Sequence, residues 1–201
     1  TVPLHLDERE LVFVVFRAPA AQAERQVPVV ARSVLTTVNG SWDVTFPPNL
    51  GAPEPLQLAA LAPWSANTNE GVKFFSGTAT YSKSIQVRQS WLAAGQKVVL
   101  DLGAVNDLAE VAVNGRNIGI LWKPPYRIDV TSAVRAGANT LQIKVTNEWT
   151  NRIAGDRGAP PERRILSGAA AGGRGGGGGG AAPQVPASGL LGPVRLIGTG
   201  K

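Results

Sequence analysis

From Val98 to Thr146 the chain is a series of short runs rich in β-branched residues, each closed by Gly, Pro, Asn or Asp. Val111 and Val113 alternate with Glu110, Ala112 and Asn114, and Leu141, Ile143 and Val145 alternate with polar residues. A period of two puts every second side chain on one face of an extended strand. Asn114-Gly115 supplies two residues that tolerate positive φ, as a type I′ hairpin turn requires. Ile118 and Ile120 resume the alternation on the return strand, and a second turn falls at Arg135–Asn139. Consecutive antiparallel strands with loops gathered at two ends are the pattern of an all-β sandwich.

The rest of the chain extends this pattern. Trp42, Val44 and Phe46 alternate in an opening strand, after an Asn39-Gly40-Ser41 turn that is also a formal glycosylation sequon. Thr78, Thr80, Ser82 and Ser84 give another strand a small polar face, and Gly77 before them marks a bulge or a close backbone approach. Leu190–Ile197 reads as the closing strand, with Pro193 placing it at an edge or a bulge. No stretch longer than about ten residues keeps a helical period without Gly or Pro. At the other end of the chain, Leu11–Phe16 is continuously apolar and predicts a strand buried on both faces. Residues 20–33 read as a linker or a short helix. The segment 1–33 is therefore expected to be the end of a preceding domain, and 34–201 the sandwich. The absence of an initiator Met and of a signal pattern reads as an excerpt or a mature form. Residues 167–183 are almost wholly Gly and Ala and predict a flexible loop.

Several function classes lose support. His5 is the sole histidine and there is no Cys, which removes the usual zinc ligand sets. A Ser-His-Asp triad would have to use His5. No cofactor motif stands in the right strand–helix setting, and no apolar run is long enough to span a bilayer. The net charge of +6 is carried by scattered Lys and Arg, a solvated surface rather than a nucleic-acid interface. Glu148, Asp156 and Glu162 share one segment and could form a hydrolytic carboxylate pair. The competing reading, ion pairs with Arg152, Arg157, Arg163 and Arg164, is favoured. Glu110 and Asp129 read as structural.

Two segments carry the remaining chemistry. Leu121–Arg127 holds Trp122, Lys123 and Tyr126 beside two stiffening prolines. The strand pattern stops at Thr146, and the next ten residues read as a loop carrying Asn147, Trp149, Asn151, Arg152 and Asp156. Aromatic rings stack on the C–H faces of sugars while polar side chains take the hydroxyls. Both segments adjoin strands of one sandwich, so they are expected to meet at one end as a carbohydrate-binding surface. The competing reading is that Trp122, Tyr126 and Trp149 plug that end.

Three long stretches carry a resemblance: residues 75–83 (FSGTATYSK), 100–131 (LDLGAVNDLAEVAVNGRNIGILWKPPYRIDVT) and 137–156 (GANTLQIKVTNEWTNRIAGD). They resemble the C-terminal jelly-roll region of large bacterial glycoside hydrolases, above all the α-L-rhamnosidase-like group of glycoside hydrolase family 106. They are also similar to the galactose-binding-like domain of the family 2 β-glycosidases. The opening VPLHLDERELVFVVFR and the closing SGLLGPVRL look like the segments that flank this domain. The resemblance implies a jelly-roll sandwich of galactose-binding type, in an extracellular or periplasmic enzyme. It also implies that the catalytic carboxylates and metal site lie on a barrel before residue 1. The expected function is therefore non-catalytic: a carbohydrate-binding or accessory domain, with oligosaccharide or polysaccharide and the upstream catalytic domain as partners. The alternative is a spacer that braces that barrel. The glycine-rich tract departs from the family pattern.

Overall fold

The structure, a computed structural model, describes residues 4, 6–19, 22, 31–166 and 185–200. Twelve strands are present among them: β1 (Ala31–Thr37), β2 (Trp42–Thr45), β3 (Leu56–Leu58), β4 (Thr78–Val87), β5 (Lys97–Asp101), β6 (Ala104–Asn106), β7 (Leu108–Val113), β8 (Arg116–Leu121), β9 (Arg127–Asp129), β10 (Gly137–Thr146), β11 (Gly189–Gly192) and β12 (Arg195–Gly200). Two short helices join them, α1 (Glu70–Lys73) and α2 (Thr150–Gly158). One sheet has the order β3-β2-β4-β10-β7-β8, the other β1-β12-β5-β9, and β11 pairs with β6 in a small third ribbon. Every pairing between strands is antiparallel. The expected sandwich is the fold.

The alternation in the sequence explains the layers. In β10, Asn139, Leu141, Ile143 and Val145 are buried while the residues between them are exposed or half-buried. This strand pairs with β4 without a register shift from Gly137–Val87 to Thr146–Thr78. Trp42, Val44 and Phe46 face inward as expected, and across the core stand Val98, Leu100 and Leu196 of the second sheet. Each fully buried large aliphatic side chain stabilises the fold by about 1.5–3 kcal/mol. Asn114 and Gly115 both have positive φ, +53° and +78°, as the hairpin turn demands.

Aromatic packing closes the core. Trp64 stands edge-on to Phe75 at 5.2 Å and stacks near Tyr81. The Trp64 indole N–H donates to the Tyr81 hydroxyl at 2.6 Å, which also accepts the Leu190 amide at 3.2 Å. Burial pushes the Tyr81 hydroxyl up to about 12. Gly103 is required by close approach: a Cβ there would lie 2.4 Å from the backbone of Gly192.

Three expectations need correction. Leu11–Phe16 forms no strand and is not buried; Phe13, for example, is 88 % exposed. An apolar run specifies what a segment avoids, not what covers it. The segment after Thr146 is not all loop, because Thr150–Gly158 is α2. Its buried residues, Asn151, Arg152, Gly155 and Asp156, include no large apolar side chain, so no hydrophobic period announces it. Strand β1 starts at Ala31, inside the stretch that reads as linker or helix. The glycine-rich tract at 167–183 and His5 lie outside the described residues.

Candidate functional site

Asp107 joins the two predicted segments. It sits between β6 and β7, beside the ends of β8 and β10, because Ala109 pairs with Leu121 and Leu108 with Thr146. Its backbone N–H donates to Thr146 O at 3.0 Å, and its carbonyl accepts the Tyr126 hydroxyl at 2.9 Å. Its carboxylate Oδ2 accepts the Glu148 amide at 3.2 Å. One exposed residue thus fastens the 122–126 segment to the 147–149 segment. The expectation that they meet at one end is correct, but the sequence pattern does not point to the residue that joins them. A terminal Asp before an alternating run reads as a strand boundary, which hides its second role.

Two clefts flank this residue. A cleft of about 200 Å³ is lined by Asn106, Asp107, Asn147, Glu148, Asn151 and the 186–188 segment. A second, of about 370 Å³, runs over Gly103–Asp107, Pro124 and Tyr126 to Arg9. The exposed carboxylates of Asp107 and Glu148 offer acceptors to hydroxyls. Trp149 is 52 % exposed and Trp122 is 62 % exposed, so neither plugs the sandwich end. Lys123 is half-buried and donates to Glu8 O at 3.3 Å, tying the N-terminal segment to this end.

Other expected contacts are turned inward. Tyr126 is only 7 % exposed: its ring belongs to the core cluster and its hydroxyl is held by Asp107 O. Burial, then the nearby Asp107 carboxylate, raise its hydroxyl above the ordinary value. It is a strut, not a stacking platform. Asn147 bridges strand ends, donating to Phe75 O at 3.0 Å and accepting from Gly77 N at 2.9 Å. Asn151 donates to Ser188 Oγ at 2.9 Å and Pro186 O at 3.2 Å, which fixes one wall of the smaller cleft. Asp156 has no exposed surface and accepts the Ile165 and Leu166 amides at 3.3 and 2.8 Å. It also pairs with Arg152, whose Nε lies 3.2 Å from its Oδ1. Asp156 therefore cannot touch a saccharide or act with Glu148 as an acid–base pair. The ion-pair reading of that carboxylate is the correct one. Among the described residues no group of three or more His, Asp or Glu is placed to hold a metal ion. No helix among them is long and apolar enough to cross a membrane, which says nothing of a β-barrel.

The arrangement is a β-sandwich whose polar end carries two exposed carboxylates, Asp107 and Glu148, and two exposed indoles. Residues 62–169, which include β4–β10, Asp107 and α2, match the family described as glycosyl hydrolase 2 galactose-binding domain-like. The chain belongs to that family. This galactose-binding-like domain is similar to a Formosa agariphila protein whose name gives a β-glucuronidase assignment as provisional, 49 % identical over 121 residues. That match covers 60 % of this chain and 10 % of the relative. The domain also resembles the structure of a rhamnosidase from Novosphingobium sp. PP1Y, with a TM-score of 0.76 and 38 % identity. Here 89 % of this chain and 16 % of that one are covered. A β-D-glucuronidase of Dictyoglomus thermophilum shares the fold at TM-score 0.56 and 18 % identity, over 84 % of this chain and 28 % of its own. The domain thus spans a small fraction of the length of each of these proteins.

Proposed function

We propose that this galactose-binding-like domain is a non-catalytic carbohydrate-contacting part of a rhamnosidase-type glycoside hydrolase of family 106. In this reading the hydrolytic barrel precedes it in the same polypeptide, and the enzyme works outside the cell or in the periplasm. The likeness to the Novosphingobium rhamnosidase supports the parent class. The observation that carries the sugar contact is Asp107, which lines both clefts and whose carboxylate and backbone hold the two loops that flank them. Asp107 and Glu148 accept hydroxyls, and the Trp149 and Trp122 rings offer stacking faces. Asn147, Asn151 and Tyr126 position this surface, and Lys123 sets its rim.

Calorimetric titration of the chain with rhamnose-containing oligosaccharides tests this. Loss of one charge-assisted hydrogen bond costs about 1.5 kcal/mol, so Asp107→Asn should weaken binding roughly tenfold. Trp149→Ala should weaken it as well. Binding unchanged in both variants, or no binding by the parent chain, contradicts the proposal.

The bracing role stands as a second reading, because Leu11–Phe16 presents six adjoining exposed apolar residues. Under it, the chain associates with a separately expressed catalytic domain whether or not sugar is present, and the Asp107 variant leaves that association intact.

A further inference from the structure

Arg152 is a buried cation whose Nε makes no hydrogen bond to the described residues. Its side chain is 8 % exposed, and its Nε approaches Asp156 Oδ1 at 3.2 Å without forming one. Asp156 also accepts the Ile165 and Leu166 amides, one on each carboxylate oxygen. Arg152 is also held by its backbone amide, which donates to Ser76 Oγ at 3.0 Å. The ion pair with Asp156 offsets the charge but leaves the Nε–H without an acceptor, and a buried donor in that state costs about 1–3 kcal/mol. Such an atom is open to a partner from outside, water or ligand.

The surroundings leave room for one. Arg152 lines a cleft of about 390 Å³ with Gly51, Gly155, Gly158, Glu70 and Arg163. This cleft lies on a different face of α2 from the Asp107 cleft, which Asn151 lines. Glycine keeps the guanidinium unobstructed: a Cβ on Gly155 would lie 2.4 Å from Nη2, and one on Gly51 3.2 Å from Nη1. Arg163 adds a second cation to the lining, and Glu70 an opposing carboxylate. A planar fork of N–H donors matches a carboxylate or another oxoanion two bonds at a time.

We propose that the Arg152 cleft is an anion-binding site that takes a single carboxylate or sulfate group. Either a uronic acid unit or a sulfate ester of a saccharide would present that chemistry. The site is separate from the Asp107 surface, so its failure leaves the reading of that surface untouched, and the reverse also holds.

The test is an NMR titration of the full chain at low salt with sodium glucuronate, inorganic sulfate and neutral methyl glucoside in separate arms. The Arg152 Nε–H signal and the Gly155, Gly158 and Ile165 amides report on the cleft. Glucuronate, sulfate or both should shift them, and methyl glucoside should not. A response to glucuronate alone assigns the site to sugar carboxylates; a response to sulfate alone assigns it to sulfated groups. Two fold-preserving variants give opposite signs. Gly158→Glu introduces a carboxylate at a position where a Cβ meets nothing within 4 Å, and should weaken binding at least about tenfold. Glu70→Gln removes the exposed opposing charge and should tighten binding about two- to fivefold. No shift with either anion at about 50 mM, shifts with methyl glucoside alone, or shifts indifferent to both variants would overturn the proposal.

Discussion

Tyr81 shows how much one atom holds at this end of the sandwich. Its hydroxyl accepts from the Trp64 indole and the Leu190 amide, joining the aromatic cluster to β11. Tyr81→Phe leaves two buried donors without an acceptor, so it should cost about 1–3 kcal/mol in urea unfolding. Asp129 gives a pH-dependent case. Partial burial raises its pKa, but the Thr131 hydroxyl and amide and the Lys97 ammonium outweigh this and hold it below the ordinary carboxylate value. A depressed folded pKa contributes stability above the unfolded value, lost as pH falls through the folded one. Wild type should therefore exceed Asp129→Asn in stability at neutral pH, by less than about 1 kcal/mol because the pair is solvent-exposed. That difference should vanish below the ordinary carboxylate range. A gap that persists unchanged into strong acid would assign the effect to packing instead.

Helix α2 is held from its polar side. Arg152 and Asp156 lie one turn apart, and Asp156 also gathers the chain at Ile165 and Leu166. Asp156→Asn strands a buried guanidinium and should cost about 3–5 kcal/mol, measured by thermal or denaturant unfolding. A cost under about 1 kcal/mol would mean that the pair is not part of the folded framework. This helix also marks the limit of what the chain's pattern discloses. Strands such as β7 and β10 are legible because Val, Ile and Leu alternate with polar residues, and one register puts them all inside. The two loops are legible as neighbours for the same reason. α2 is not, because the face it buries is Asn, Arg, Gly and Asp, which read as loop chemistry. Tyr126 reads as a surface ring because its neighbours Pro124 and Pro125 look like a loop. The Asp107 carbonyl that anchors its hydroxyl lies 19 positions back in the chain. Asp107 is invisible as a junction because its three bonds reach residues 19, 39 and 41 positions away.

At the scale of the whole molecule, the sandwich closes its own core while leaving apolar surface elsewhere. Leu11–Phe16 is exposed, and the N-terminal segment is tied to the sandwich by the Lys123 bond to Glu8 O. Removing residues 1–19 should therefore change the unfolding free energy by no more than about 0.5 kcal/mol. A larger loss would mean that this run packs on the sandwich after all. The polar end, by contrast, is built: one residue, Asp107, gathers two loops, and each loop carries an exposed indole. The proposed role depends on that end meeting a saccharide. Its most direct test is a ¹⁵N spectrum of the chain during addition of a rhamnose-containing oligosaccharide. The Trp149 indole and the Asp107 and Glu148 amides should shift, while the buried Trp42 and Trp64 indoles and the Asn114 hairpin at the far end of β7 stay still. A silent spectrum, or shifts confined to the Asn114 end, would contradict it.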